Sequence, residues 1–251
     1  MEIVSSPEKY LRYLEMQGDN PLYSVGNIAL AMVQRPAATQ FGTRERWKAL
    51  GRSISEGEVK NGFLIFARSS FGKGYVLTDA YDISQTYGKA IASQQLANDS
   101  PEMERALTTL LYYAAVPAVV DQKLDGPALY NAGKLELVIN PDYPDNVAFA
   151  AIAAEIAHSR FHAKGANPYY SRAESELDAQ SVSSILCRRF GIAREVPDMS
   201  ELEPLYSGWT AQEARKALDS VQSMCKQIGG SIARSLAPQQ HTRNNLKSPA
   251  R

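Results

Sequence analysis

Apolar positions repeat at helical spacing along three long segments in the second half of the chain. The segments are 146–165, 172–190 and 210–236. Gly191 follows the second segment and predicts its end. A Gly-Gly pair at 229–230 leaves two possibilities for the third segment, one long helix or two helices broken at this pair.

The first hundred residues mix short helices with strands. Helices are predicted at 6–17, 23–34 and 43–50, and each is followed by a glycine or a proline. Apolar runs at 63–66 and 74–77 predict strands joined by a mostly polar loop, and further strands are predicted at 116–120 and 134–139. The segment 91–99 lacks a period and marks a domain boundary. We therefore predict an α+β protein with a small mixed module at 1–95, a larger one at 100–236 that is helical towards its end, and a disordered basic tail at 237–251.

Composition excludes few functions. The chain has 251 residues, 44% of them hydrophobic, which supplies a core for one large or two small domains. Its 27 basic residues balance 27 acidic ones, so binding of nucleic acid would depend on local patches. Cys187 and Cys225 form no CxxC pair, which favours a reducing, cytoplasmic location. We expect no signal peptide and no membrane association, because no apolar run reaches the roughly 18 residues that span a bilayer.

Candidate chemistry is concentrated in the helix at 146–165. Two of the three histidines of the chain lie in it, and at about 100° per residue Glu155, His158 and His162 share one narrow stripe. Imidazoles one turn apart can bind a single zinc ion, and a carboxylate from the acidic helix at 172–190 could complete the site. A glutamate beside the metal-bound water would then accept its proton during hydrolysis.

The local pattern departs from the usual signature of such a site, which is H-E-x-x-H. The five residues here are Ala154-Glu155-Ile156-Ala157-His158, so the first histidine is missing. Two interpretations stay open. Glu155 and His158 belong to a zinc site with fewer ligands, or they form a hydrogen-bonded pair on a helix face.

These residues and their surroundings resemble the ImmA/IrrE-type metallopeptidases, and among them the ArdC and LtrC proteins of conjugative elements. The resemblance covers most of the chain and rests on 153–161, 176–183, 187–192, 20–23, 34–39, Trp47, 57–66 and the Asp-Ile-Ser-Gln-Thr run at 82–86. It implies a zincin-like second domain with Glu155 as the general base and with zinc held by His158 and Glu176. Asp178 is the alternative to Glu176.

The family pattern has a histidine where this chain has Ala154. Three explanations compete. The chain keeps the fold and has lost the hydrolase, or His162 supplies the missing ligand in a shifted site, or alanine is not the natural residue. The resemblance therefore leaves both zinc and peptidase activity open.

The resemblance also implies that the first domain binds single-stranded DNA and that the protein protects incoming DNA from restriction. Such binding uses basic groups along a groove and aromatic rings on which bases stack. The candidates are Arg44, Arg46, Trp47, Lys60, Arg68 and Lys73. Core packing is the alternative for Trp47, and an ordinary solvated surface is the alternative for the cations.

We thus expect a DNA-binding, antirestriction-type protein of a mobile element whose metallopeptidase-like domain is degenerate. The alternative is an active zinc peptidase that cleaves a regulatory protein. A third possibility is a scaffold that grips a peptide without cutting it.

Overall fold

The computed structural model describes residues 2–69 and 72–238. Over these residues the chain forms eight α-helices and three small sheets, which confirms the predicted α+β class. The helices are α1 (Pro7–Asp19), α2 (Val25–Gln34), α3 (Arg44–Ala49), α4 (Pro101–Leu111), α5 (Asp145–Phe161), α6 (Arg172–Arg189), α7 (Leu202–Tyr206) and α8 (Ala211–Leu236). The strands are β1 (Phe41–Thr43), β2 (Arg52–Ile54), β3 (Phe63–Arg68), β4 (Tyr75–Asp82), β5 (Thr86–Gly88), β6 (Ala118–Val120), β7 (Ala128–Asn131) and β8 (Glu136–Ile139).

Hydroxyl side chains begin most of the helices. Ser6 accepts a hydrogen bond from the backbone of Lys9 and precedes Pro7, the first residue of α1. Ser171 caps α6 in the same way. Gly191 ends α6 with φ +62°, and Ile192 N donates to Cys187 O at 2.9 Å. Because glycine adopts positive φ without strain, this Schellman-type end confirms the predicted stop.

The final helix is single and continuous, which decides between the two possibilities that the Gly-Gly pair leaves open. α8 runs unbroken from Ala211 to Leu236, and at Gly229 it lies directly against α6. A Cβ atom on Gly229 would lie 3.1 Å from a methyl carbon of Leu186 and 2.6 Å from the guanidinium of Arg189. The glycine therefore permits close packing of the two helices.

The front sheet has the strand order β1-β4-β3 and is antiparallel throughout. Phe63 and Ile65 point into the core, whereas the alternate residues Leu64 and Phe66 are exposed. Helix α2 lies along the free edge of β3. The side-chain amide of Gln34 donates to Leu64 O at 2.8 Å and accepts from Leu64 N at 2.9 Å. This helix thus covers an edge that would otherwise be open to pairing.

A small second core covers one end of the outer face of the front sheet. Trp47 of α3 packs there with Ile54 and Tyr81, and its indole Nε1 donates to Tyr81 O at 2.9 Å. The two-stranded sheet β2-β5 supports this cluster. The rest of the outer face, towards Tyr75, stays uncovered.

The main hydrophobic core extends from the front sheet to α8. It includes Phe41 and Phe63 from the front of the chain, Phe149 of α5, Val182 of α6 and Ile228 of α8. The third sheet has the order β6-β8-β7, with β6 and β8 parallel. The domain division near residue 95 stays a prediction, and residues 239–251 of the predicted tail lie outside the described residues. Among the described helices, none combines the length and the apolar character that crossing a bilayer requires.

Candidate functional site

Helices α5 and α6 bring together two of the residues that the sequence singled out. Nε2 of His158 lies 3.1 Å from Oε2 of Glu176, and the imidazole is fully buried. An ionised carboxylate only accepts hydrogen bonds, so the imidazole is the donor in this contact. On the other side of the ring, Nδ1 lies 3.1 Å from the hydroxyl of Tyr170. Both ring nitrogens are therefore engaged within the protein.

Glu155 is also buried, and both of its carboxylate oxygens accept hydrogen bonds. The backbone N–H of Tyr130 on β7 donates to Oε2 at 2.7 Å. Arg172, the first residue of α6, donates from Nη1 to the same oxygen at 3.0 Å and from Nη2 to Oε1. The carboxylate thus accepts three charge-assisted or backbone hydrogen bonds.

Arg172 is the site residue that the sequence analysis missed. Its Nε lies 3.9 Å from Oε2 of Glu176, so the guanidinium contacts the carboxylates of both helices. Hydrogen bonding to Glu155 raises the pKa of Arg172. The hydrogen bond from His158 lowers the pKa of Glu176 to about 2, with Gln180 and Arg172 acting in the same direction. A signal was available, because Arg172 and Glu176 are four residues apart and so share one helix face.

The other candidate ligands point elsewhere. Nδ1 of His162 lies 2.7 Å from the hydroxyl of Tyr130, and its ring stacks on Tyr170 with centroids 4.6 Å apart. Asp178 accepts a 3.4 Å hydrogen bond from Tyr206, and burial raises its pKa to about 6. Neither side chain contacts the His158–Glu176 pair, although their proposed roles as ligands stay predictions.

The residues present do not fit a metal ion in this arrangement. Among the described residues, no three side chains of His, Cys, Asp or Glu are grouped as a metal site would need. Position 154 is a buried alanine without a donor atom. Nε2 of His158 is already hydrogen-bonded to Glu176, and the guanidinium of Arg172 lies against both carboxylates.

The candidate DNA-binding residues separate into buried and exposed groups. Trp47 is only 1% exposed, so its ring offers no face to a base and core packing accounts for it. The guanidinium carbon of Arg44 lies 5.9 Å from the ring centroid of Tyr81, and that of Arg46 lies 5.7 Å from that of Tyr23. Lys60, Arg68 and Lys73 are exposed.

The uncovered outer face of β3 and β4 presents apolar and aromatic side chains. We call Leu64, Phe66, Tyr75 and Leu77 the hairpin face; Phe66 is 50% and Tyr75 67% exposed. Phe66 pairs with Leu77 across the strands, and Arg68 pairs with Tyr75. The sequence could not orient Phe66, because four successive apolar residues at 63–66 give no alternation.

A cleft of about 820 Å³ separates the hairpin face from α2. Its walls include Val33 on α2, Phe66 and Tyr75 on the sheet, and Arg215 on α8. The cleft therefore combines aromatic rings with a cation from the opposite end of the chain.

Comparison with known proteins supports the fold. No protein-family model matches the chain, and no curated protein matches it in sequence. Two crystal structures of the antirestriction protein ArdC from plasmid R388 are similar, one with Mn(II) bound and one metal-free. The Mn(II)-bound structure is 15% identical, with a TM-score of 0.54 over 95% of this chain and 97% of the other. The metal-free structure is 14% identical, with a TM-score of 0.54 over 95% and 96%. The chain thus has an ArdC-like fold along nearly its whole length.

Proposed function

We propose that the protein binds single-stranded DNA on the hairpin face and serves a mobile element as an antirestriction protein in the cytoplasm. The observation that carries this proposal is the similarity of fold to an antirestriction protein over 95% of the chain. The surface chemistry of the front sheet supports it independently.

The hairpin face has the groups that single strands require. Phe66 and Tyr75 are exposed rings on one face of the sheet, and stacking of a base on such a ring contributes about 1–3 kcal/mol. Arg68 lies directly opposite Tyr75, and Lys73 lies in the turn before it. Because every base has an aromatic face, this surface predicts binding with little sequence preference.

Cations lie at both ends of this surface. At the far end of β4, Arg44 contacts the ring of Tyr81, and Lys60 follows Val59, whose carbonyl accepts from the Tyr81 hydroxyl. A strand from Tyr75 to Asp82 measures roughly 23 Å at about 3.3 Å per residue. A strand of DNA that follows β4 would therefore meet basic side chains at each end, and between them the hairpin face and the acidic side chain of Asp79.

The peptidase alternative has weaker support. A general base must be basic enough to accept a proton from the attacking water, and an ion pair with an arginine makes a carboxylate a weaker base. In this chain the carboxylate of Glu155 accepts from Tyr130 and from two nitrogens of Arg172, and no third ligand joins His158 and Glu176 within the described part of the chain. The geometry favours a binding protein over a hydrolase.

Fluorescence anisotropy with labelled single-stranded and double-stranded oligonucleotides at several salt concentrations tests the proposal. We expect tighter binding of the single strand, with a Kd that rises as salt is added. Replacing both rings, in F66A/Y75A, should weaken binding about tenfold or more. Y112A is the matched control, because Tyr112 is an exposed ring directly after α4, outside the front sheet. Absence of binding to either oligonucleotide at low salt would remove the proposal.

A further inference from the structure

We propose that the guanidinium group of Arg172 takes the place of a metal ion in this fold, so that the α5–α6 cluster is metal-independent. The cluster consists of Glu155, His158, Arg172 and Glu176. The inference concerns this site alone and does not rest on DNA binding.

The buried carboxylate of Glu155 has its charge compensated within the protein. A carboxylate removed from water needs a compensating positive charge and hydrogen-bond donors. Arg172 supplies the charge together with two donors, and Tyr130 N–H supplies a third. Nothing further is needed to stabilise this group in its charged form.

The same guanidinium also reaches the carboxylate of Glu176. The three donor nitrogens of Arg172 face two carboxylates, Nη1 and Nη2 towards Glu155 and Nε towards Glu176 at 3.9 Å. A planar guanidinium suits this role because its donors are fixed in a fork that can serve several acceptors at once. One side chain therefore joins α5 to the first turn of α6 electrostatically, as a bound cation could.

The imidazole of His158 is hydrogen-bonded at both of its nitrogens. A histidine binds a metal through a nitrogen lone pair. In His158, Nε2 donates to Glu176 and Nδ1 is hydrogen-bonded to Tyr170. A cation at Nε2 would have to replace the contact with Glu176 and would lie beside the positive charge of Arg172, so Arg172 and a metal ion compete for this space.

Ala154 is consistent with this exchange of cations. A histidine at this position would add a third ligand, but alanine adds only a buried methyl group. Alanine at 154 gives the cluster one ligand fewer for a metal ion. Arg172 supplies the positive charge that the two carboxylates need without a metal ion.

Thermal unfolding with and without divalent cations tests the inference on the full chain. The wild-type Tm should not change when EDTA, MnCl2 or ZnCl2 is added, and the purified protein should carry no stoichiometric metal. R172A should lower the Tm by about 5–10 °C, because the carboxylates lose their cation.

The matched control is R105A, which removes an exposed ion pair with Glu102 on α4 and should respond to neither metal nor EDTA. If R172A does not fold, the variant E155Q/R172M decides, because it removes a charge of each sign. A folded double variant supports the inference. A wild-type protein with one equivalent of bound metal, a wild-type Tm that EDTA lowers, an R172A variant as stable as the wild type, or an unfolded double variant would each overturn it.

Discussion

The side-chain amide of Asn27 pairs with the backbone of Phe66 in both directions. Its Nδ2 donates to Phe66 O at 2.9 Å, and its Oδ1 accepts from Phe66 N at 2.8 Å. A helix thus continues the hydrogen-bonding pattern of a sheet through a side chain. The arrangement fixes the edge strand that carries one of the two rings proposed to stack on DNA bases.

Substituting this amide should weaken the front sheet. N27A leaves the N–H and C=O of Phe66 without their partners, and we expect a loss of about 1–2 kcal/mol in the free energy of unfolding. Urea denaturation measures it. N98A is the matched control, because Asn98 makes a similar two-way pair with Asn146 on an exposed surface and should cost less. Equal losses in the two variants would contradict the special role of the edge.

An acid lies beside the hairpin face, on the same outer side of the front sheet, and its removal should strengthen DNA binding. Asp79 is exposed and pairs with Leu64 across the strands, so it lies on the same side of β4 as Tyr75 and Leu77. D79K should lower the Kd for single-stranded DNA by about threefold or more at low salt, since repulsion of phosphates is replaced by attraction.

For D79K, the slope of log Kd against log salt concentration should increase by about one, because one more phosphate contact forms. D125K provides the control, because it changes the net charge equally at an exposed position between β6 and β7. Identical gains in D79K and D125K would show that only net charge matters.

Asp178 should make the stability depend on pH. Burial raises its pKa to about 6 from an ordinary value of 3.8, so the folded protein binds this proton more tightly than the unfolded chain does. The stability that this carboxyl contributes is therefore present below about pH 4 and is lost as the pH rises to about 6.

D178N should remove this loss and stabilise the protein at pH 7–8 by about 3 kcal/mol, while leaving stability at pH 4 nearly unchanged. The amide oxygen can still accept the hydrogen bond from Tyr206. Urea titrations at several pH values measure the effect, and a wild-type curve parallel to that of D178N at every pH would contradict the prediction.

The two adjacent glycines of α8 should respond oppositely to alanine. A Cβ on Gly230 would meet only Arg234 at an ordinary 3.6 Å, so G230A should stabilise the helix by about 0.5–1 kcal/mol. A Cβ on Gly229 would press on Leu186 and Arg189 of α6, so G229A should gain nothing or destabilise. Thermal unfolding of the pair distinguishes packing from helix propensity, and a larger gain for G229A would refute the close approach.

The sequence predicted those features that depend on local periodicity. The helices that carry His158 and Glu176 follow from spacing and end signals, and their approach follows from the resemblance. The partner of Glu155 did not follow, because Arg172 is 17 residues away and its direction depends on how α5 and α6 pack. Tertiary packing also determines that Trp47 is buried, because an amphipathic pattern is compatible with a core position and with a position on a groove.

Strand exposure was the other feature beyond the reach of the sequence. The run at 63–66 is apolar on both sides of the pleat, so only the structure shows that Phe63 is buried and Phe66 is not. The short strands β1, β2 and β5 have three residues each, too few for a period, and they form only because distant segments pair with them.

Helix α8 connects the front of the chain to its second half and should limit movement between them. It is 26 residues long, and it contacts the front of the chain through Gln222, which donates to Tyr23 O, and the second half through Ser231, which bonds the hydroxyl of Tyr113. A helix held near its middle and towards its C-terminal end should resist hinging between the regions it joins. We therefore expect the cleft beside Arg215 to keep nearly the same width whether it is empty or holds a nucleic acid strand.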